Sequence, residues 1–322
     1  MNDPIGDLLA PRPLGRTGIL VPGIGIGGSP LGSSASLYGH GTAEDQGVAT
    51  VTRVLSGPLG FLDTSNAYSA GESERRIGQA IASYGGLPDG FVLATKVDAD
   101  PDTGRFDGDR VRRSFEESLS RLGVDRVPLL HLHDPEGFIS VEEASAPNGA
   151  IEALLQLKSE GAVDAIGVAG GQVSEMRKYV ETGAFDVLLT HNRFTLVDRS
   201  AQRLIELASE RGLGVINAAA FGGGILARTP RSGDKYAYGM GTEQQVRAAS
   251  LMAAACDRYG VPIAAAALQF AASLPGIDSV LVGASRPERV DETIRLATLD
   301  IPAELIEELD ALTPGSDFWI QD

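Results

Sequence analysis

The feature that most constrains the fold of this chain is an alternation. Eight short apolar runs, β-branched or bounded by glycine, are separated by longer amphipathic runs along most of its 322 residues. A strand covered on both faces reads as a short continuous apolar run, and a helix packed on one side shows apolar positions three and four apart. Regular exchange between the two patterns is the signature of a mainly parallel sheet crossed by helices. The spacing predicts strands over residues 24–27, 60–63, 91–95, 127–131, 165–168, 186–190, 214–217 and 279–282. Helical runs follow at 44–55, 73–82, 109–122, 148–159, 173–181, 199–210, 243–259 and 287–296. The third shows the pattern well: Val111, Phe115, Leu119 and Leu122 share a face, and Gly123 ends it.

Eight strand–helix pairs of roughly 40 residues fit a (β/α)8 TIM barrel better than an open doubly wound sheet. The open sheet needs fewer strands and usually carries a G-x-G-x-x-G turn, whereas Gly25, Gly27 and Gly28 give only G-x-G-G. Residues 1–322 are therefore expected to form one barrel domain. Outside the repeat lie a glycine-centred hairpin at 12–22, expected to plug the barrel bottom, and two extra helices at 264–273 and 302–312. A long glycine-rich loop, expected to be flexible, occupies 228–241 after the seventh strand, and 313–322 is a tail.

Charge and cysteine usage narrow the function classes. With 27 Lys and Arg against 43 Asp and Glu the formal charge is −16, and no basic run is long enough to track a nucleic-acid backbone. Local arginines consequently gain weight as anion contacts. The single Cys256 excludes an intramolecular disulfide and Cys-rich metal sites, and its apolar helical setting reads as a buried structural thiol. The first residues lack the basic and apolar segments of a leader, and no stretch of about 20 apolar residues occurs. A cytoplasmic location without a membrane partner is expected; the oligomeric state is not specified by these features.

In such a barrel, reactive groups come from the C-terminal ends of strands and the loops beyond. Asp63 ends the second strand, Lys96 the third, His133 follows the fourth, and Tyr68 lies five residues past Asp63. Each alone reads as a cap or a surface side chain. Three ionisable groups at successive strand ends, however, are brought together by neighbouring strands. A phenol with a pKa of about 10 needs a shift of about 3 units to exchange a proton near neutrality. A lysine ammonium favours the phenolate, and an aspartate keeps that lysine charged and placed. A histidine beside them can orient the reacting oxygen.

These residues sit in recognisable motifs. Asp63-Thr-Ser-Asn-Ala-Tyr68 with Gly71-Glu-Ser-Glu-Arg-Arg-Ile-Gly78 resembles the aldo-keto reductase signature D-T-[AS]-x-x-Y…G-x-S-E…[IL]-G. Ala94-Thr-Lys96 is similar to that family's [ST]-K strand end, and His131-Leu-His133-Asp-Pro135 to its L-H-x-P element, which selects His133 over His131. The likeness runs from Leu14 to the helix near Arg286. It implies hydride exchange with the C4 carbon of a nicotinamide, NADP(H) or NAD(H), and no metal. Tyr68 would be general acid or base, Lys96 and Asp63 would tune it, and His133 would orient the substrate.

Phosphate in barrels of this kind is held after strands seven and eight. Phe221 with Gly222 to Gly224 can bring backbone amides to a pyrophosphate, and Gly283-Ala284-Ser285-Arg286 with Arg289 gathers positive charge at a helix start. Ser285 and Glu288 are spaced as a capping box. The resemblance implies 2′-phosphate contact by Arg286 and cofactor contacts at Gly27, Ala284, Glu292 and Thr293. Four positions depart from the family pattern. Ala169-Gly170 stands for its Ser-Asn pair, His191 for its glutamine, Ala218 for its stacking aromatic and Thr293 for its asparagine. With the His-Asp-Pro-Glu segment, these departures most resemble the sugar-oxidising branch, the L-fucose, D-threo-aldose and L-galactose dehydrogenases. Tyr38, Phe318 and Trp319 are expected pocket walls. Reduction of simple aldehydes or ketones with NADPH, a cofactor-binding redox sensor with little turnover, and an unrelated phosphate-binding barrel are the alternative readings.

Overall fold

The computed structural model describes residues 7–33 and 41–322. Eight parallel strands, β3 (Ile24–Gly27), β4 (Phe61–Asp63), β5 (Val92–Val97), β6 (Leu129–His133), β7 (Ala165–Gly170), β8 (Val187–His191), β9 (Gly214–Ala218) and β10 (Ser279–Gly283), close into a barrel. The order is sequential, with β10 pairing back to β3. Helices α1 (Glu44–Leu55), α2 (Glu72–Tyr84), α3 (Gly108–Leu122), a short α4 (Val141–Ala144), α5 (Ala150–Ser159), α6 (Val173–Glu181), α7 (Gln202–Glu210), α8 (Glu243–Tyr259) and α10 (Pro287–Ala297) form the outer ring. The extra helices are α9 (Ile263–Ala271) and α11 (Ala303–Ala311). Every expected strand and helix is present. The fourth barrel strand is displaced by two residues from its expected span, because Pro128 has no N–H to give a ladder and pairing begins at Leu129. That displacement carries the strand to His133.

The outer core forms where helix stripes meet the outward faces of strands. On α3, Val111, Phe115 and Leu122 are buried in the same cluster as Leu130 and Leu132 of β6. Asp107 caps this helix by accepting the Arg110 amide at 3.1 Å, and Gly123 at φ 67° ends it. Among the described residues no single helix is long and apolar enough to cross a membrane.

The hairpin of β1 (Pro11–Pro13) and β2 (Leu20–Pro22) sits where expected, at the barrel bottom. Leu14, Ile19 and Val21 are buried against Phe61, Val92, Leu129, Ala165, Val187 and Ile216, the inward residues of the lower barrel. The Gly15 amide of its turn donates to Asp278 Oδ2, and so does Val215 of β9, at 3.0 Å each.

Filling a closed barrel with side chains of unequal size requires partners that give way. A Cβ on Gly25 would lie 2.7 Å from the Phe61 ring, and one on Gly167 would lie 2.2 Å from His131 Nδ1. Two strands thus omit their side chains to admit two large rings. One layer higher Gly27, Ala169, Ala218 and Gly283 line a cavity, with the His133 and His191 rings in register with Ala169 and Ala218. The barrel is therefore solid below and open above. Gly167→Ala is expected to lower stability by about 1–3 kcal/mol through overpacking against His131. Urea unfolding would show this as a lower midpoint at unchanged slope.

Candidate active site

The open layer leads into a cavity of about 470 Å³ at the C-terminal ends of the strands. Asp63, Tyr68, Lys96 and His133 line one part of it, and Ser285, Arg289, Glu292 and Thr293 another. Gly27, His191, Ala218, Phe221, Gly224 and Gly283 also face it. Gly222, Ala284 and Arg286 do not. Gly222 packs against the Tyr236 ring, Ala284 is buried, and Arg286 is exposed at the start of α10. Tyr38 lies outside the described residues.

Phe318 and Trp319 also fail to reach the cavity, because the tail is tied down elsewhere on the rim. The Phe318 carbonyl accepts from Thr242, the Trp319 indole donates to the Pro314 carbonyl, and Arg193 donates to the Ile320 carbonyl. Asp322 then accepts the first amides of α6. The capping box expected at Ser285 and Glu288 is absent as well. Helix α10 begins at Pro287, its cap is Arg286 without a side-chain bond, and the Ser285 carbonyl is taken by Gln46.

At the reactive end Lys96 is 1% exposed and Asp63 3%. Lys96 Nζ lies 2.5 Å from Asp63 Oδ1, 2.7 Å from the Thr64 carbonyl and 3.2 Å from Tyr68 Oη. Burial pushes the Asp63 carboxyl up, and the Lys96 ammonium beside it pulls the other way. The Tyr68 ring stands edge to face with His133, centroids 5.4 Å apart.

The remaining signature residues hold this loop in place. Ser73 Oγ donates to the Gly28 carbonyl and pairs with Thr64 Oγ1, each at 2.8 Å. Glu74 is fully buried; it accepts from Thr95 of β5 and from Arg121, which also donates to the Asn66 carbonyl. Asn66 is further gripped by Arg110 and the Ser114 carbonyl. The chain between Asp63 and Tyr68 is thus bonded on both sides, which the motif alone did not explain.

The two histidines of β6 have separate fates. His131 is buried in the barrel with neither ring nitrogen hydrogen-bonded, and burial together with the Lys96 and His133 charges drives its pKa far down. His133, two residues on and on the same face, lines the cavity. Its Nδ1 lies 2.5 Å from Asp98 Oδ1, and its Nε2 3.7 Å from Asp134 Oδ2. Burial would lower its pKa, but Asp98 and Asp134 outweigh that and raise it. Burial likewise opposes ionisation of Asp134, yet its neighbours His133, His191 and Lys96 hold it well below the usual carboxylate range.

Asp98 and Asp134 were not expected from the sequence. Asp98 falls two residues after Lys96, the same spacing that puts His131 and His133 on one face, so alternation alone could have flagged it. Glu136 explains a departure from the family pattern. It accepts the amides of Gly171 and Gln172 at 2.8 and 3.1 Å, and a Cβ on Gly170 would lie 2.6 Å from its other carboxylate oxygen. The carboxylate takes the room a side chain at Gly170 would need. Asn192, 1% exposed with an unpaired Oδ1, lines the cavity beside His191.

The loop after β9 shows why glycine is used there. Gly223 and Gly224 take φ of 76° and 100° and line the cavity. Downstream, Arg228 pairs with both oxygens of Asp234, and the buried Tyr236 donates to the Asn192 carbonyl at 2.6 Å. Tyr238 then reaches the cavity wall. At the far end Arg289 is paired with Glu292 at 2.5 Å.

The aldo/keto reductase family profile matches residues 23–314. The chain is 33% identical to L-galactose dehydrogenase of Arabidopsis thaliana, over 94% of this chain and 93% of that protein. It is 31% identical to D-threo-aldose 1-dehydrogenase of Pseudomonas sp., over 91% and 94%, and 28% identical to pyridoxal 4-dehydrogenase of Microbacterium luteolum, over 91% and 94%. Among solved structures, the holo form of an aldo-keto reductase from Bacillus halodurans shares the fold with a TM-score of 0.76 at 22% identity, over 94% of this chain and 96% of that one. A glycerol dehydrogenase from Gluconobacter oxydans does so at 0.72 and 19%, over 94% and 95%. With the barrel, the family profile and these relatives in agreement, the chain belongs to the aldo/keto reductase family of NAD(P)-dependent oxidoreductases.

Proposed function

We propose that this protein oxidises an aldose at C1 with NAD(P), Tyr68 being the group that exchanges a proton with the substrate. The observation that carries the reading is the contact chain from Asp63 through Lys96 to Tyr68 at the cavity wall. A buried ammonium 3.2 Å from a phenol oxygen stabilises the phenolate, so the phenolate can take the hydroxyl proton of a lactol and the resulting phenol can return it to a carbonyl oxygen. Asp63 holds Lys96 in place. His133, across from the Tyr68 ring, orients the same oxygen.

The cofactor, when bound, supplies or accepts the hydride. Residues fit to hold it are present. The positive-φ pair Gly223 and Gly224 leaves backbone room for phosphate, Ser285 and Arg289 stand at the start of α10, and the unpaired Asn192 Oδ1 offers an acceptor for an amide. The aldose preference is supported by two sugar dehydrogenases among the relatives and by the polar wall of Asp134, His191 and Asn192. Exposed on the rim beside this end, Arg286 is proposed to reach the 2′-phosphate of NADP.

Tyr68→Phe is expected to lower turnover at least about a hundredfold while cofactor affinity stays nearly unchanged. Equal activity in the variant removes Tyr68 from the mechanism. A screen of L-fucose, L-galactose, D-arabinose and simple aldehydes with both cofactors tests the substrate class. Oxidation of a sugar supports the proposal, turnover of aldehydes alone replaces it with a general reductase, and tight cofactor binding without turnover of either replaces it with a sensor. In fluorescence titrations Arg286→Ala should weaken NADP(H) about tenfold more than NAD(H), the worth of one charge-assisted hydrogen bond. Equal losses would show that Arg286 does not contact that phosphate.

A further inference from the structure

His133 has two ring nitrogens, and its surroundings commit one of them. Asp98 accepts from Ser65 Oγ at 2.6 Å and from the Ala67 amide at 2.9 Å, both on Oδ2, which leaves Oδ1 for His133 Nδ1 at 2.5 Å. Burial disfavours its charge, but His133 and these two donors hold Asp98 below its ordinary range. An ionised carboxylate can only accept a hydrogen bond. Ser65 Oγ lies 3.1 Å from the same nitrogen and has its proton engaged with Asp98, so it too is an acceptor there. Both neighbours of Nδ1 therefore require a proton on it.

A neutral imidazole carries only one N–H. With that proton on Nδ1, Nε2 is a bare lone pair turned toward Asp134 and the cavity. A reacting oxygen that gains negative charge needs a donor, not a lone pair. We propose that Asp98 is a positioning residue that reserves Nδ1 of His133, so that His133 can donate to the substrate oxygen only as the doubly protonated imidazolium. The proposal rests on the reading above that the substrate oxygen meets His133.

The groups facing His133 set the gate. Asp98 and Asp134 favour the imidazolium, Lys96 opposes it, and Asp63 lies behind Lys96 as its counter-charge. His131 beneath it is held neutral, and Tyr68 presents its ring. Because the folded pKa of His133 is raised, the donor persists above the pH of a free imidazole and is lost as pH rises through that higher value. In sugar oxidation the loss of this donor appears as an alkaline fall of kcat/KM.

Nitrogen NMR of protein labelled with ¹⁵N at histidine tests this, the His133 resonances being identified by their disappearance in His133→Gln. The expected result is Nδ1–H with bare Nε2 in the neutral ring, and a midpoint above the free value of about 6.5. In Asp98→Asn the amide can donate to Nδ1. The neutral proton should then move to Nε2, the midpoint fall, and the alkaline fall of kcat/KM disappear. Ser65→Ala, which disturbs the loop but keeps the carboxylate, should retain the wild-type tautomer. An Nε2–H tautomer in the wild type overturns the proposal without any variant, as does an unmoved midpoint in folded Asp98→Asn. If the wild type oxidises no aldose, the sugar reading fails while the NMR still decides the role of Asp98.

Discussion

One buried ammonium organises the reactive half of this molecule. Lys96 lies almost wholly out of water, where an unpaired charge costs several kcal/mol. Its only release is to be met from all sides, and the residues that meet it belong to adjacent segments: the Asp63 carboxylate, the Thr64 carbonyl and the Tyr68 hydroxyl. Pairing of β4 with β5 places Asp63 beside Ala94, two residues before Lys96, and so brings the two charges within reach. The ion pair then fixes the loop that carries Tyr68. Ser73, Glu74, Arg110 and Arg121 brace the same loop from the helix side.

The cavity above that pair arises from a second constraint, the fixed width of an eight-stranded barrel. Phe61 and His131 fill the lower interior because Gly25 and Gly167 make way for them. Higher up, Gly27, Ala169, Ala218 and Gly283 leave the space open. The same give and take recurs at the rim, where Gly170 yields to the Glu136 carboxylate. At Gly170 the departure from the family pattern is met by Glu136, which lies just beyond the neighbouring strand β6.

Much was legible in the sequence because its signals are local or periodic. The runs at 44–55, 173–181 and 243–259 match α1, α6 and α8 at both ends. The end of β4 at Asp63, and Lys96 one residue short of the end of β5, could be read because ionisable residues close apolar runs there. The fourth strand was misplaced because Val127 and Leu129 look alike as apolar residues, while only pairing shows that Pro128 delays the ladder. Phe318 and Trp319 are expected from the sequence as pocket walls, yet the tail is placed by hydrogen bonds from the distant Thr242 to the Phe318 carbonyl and from Arg193 to the Ile320 carbonyl.

By itself, then, the sequence determined the barrel, the hairpin beneath it and the meeting of Asp63, Lys96, Tyr68 and His133, since these follow from period, strand order and motif. Tertiary structure alone decided how those groups are charged and aimed. That Asp98 binds His133, that His131 is sealed below it, and that Glu136 occupies the space beside Gly170 depend on which side chains face one another across strands. Burial and the distance between charges set protonation, and neither quantity exists until the barrel has closed.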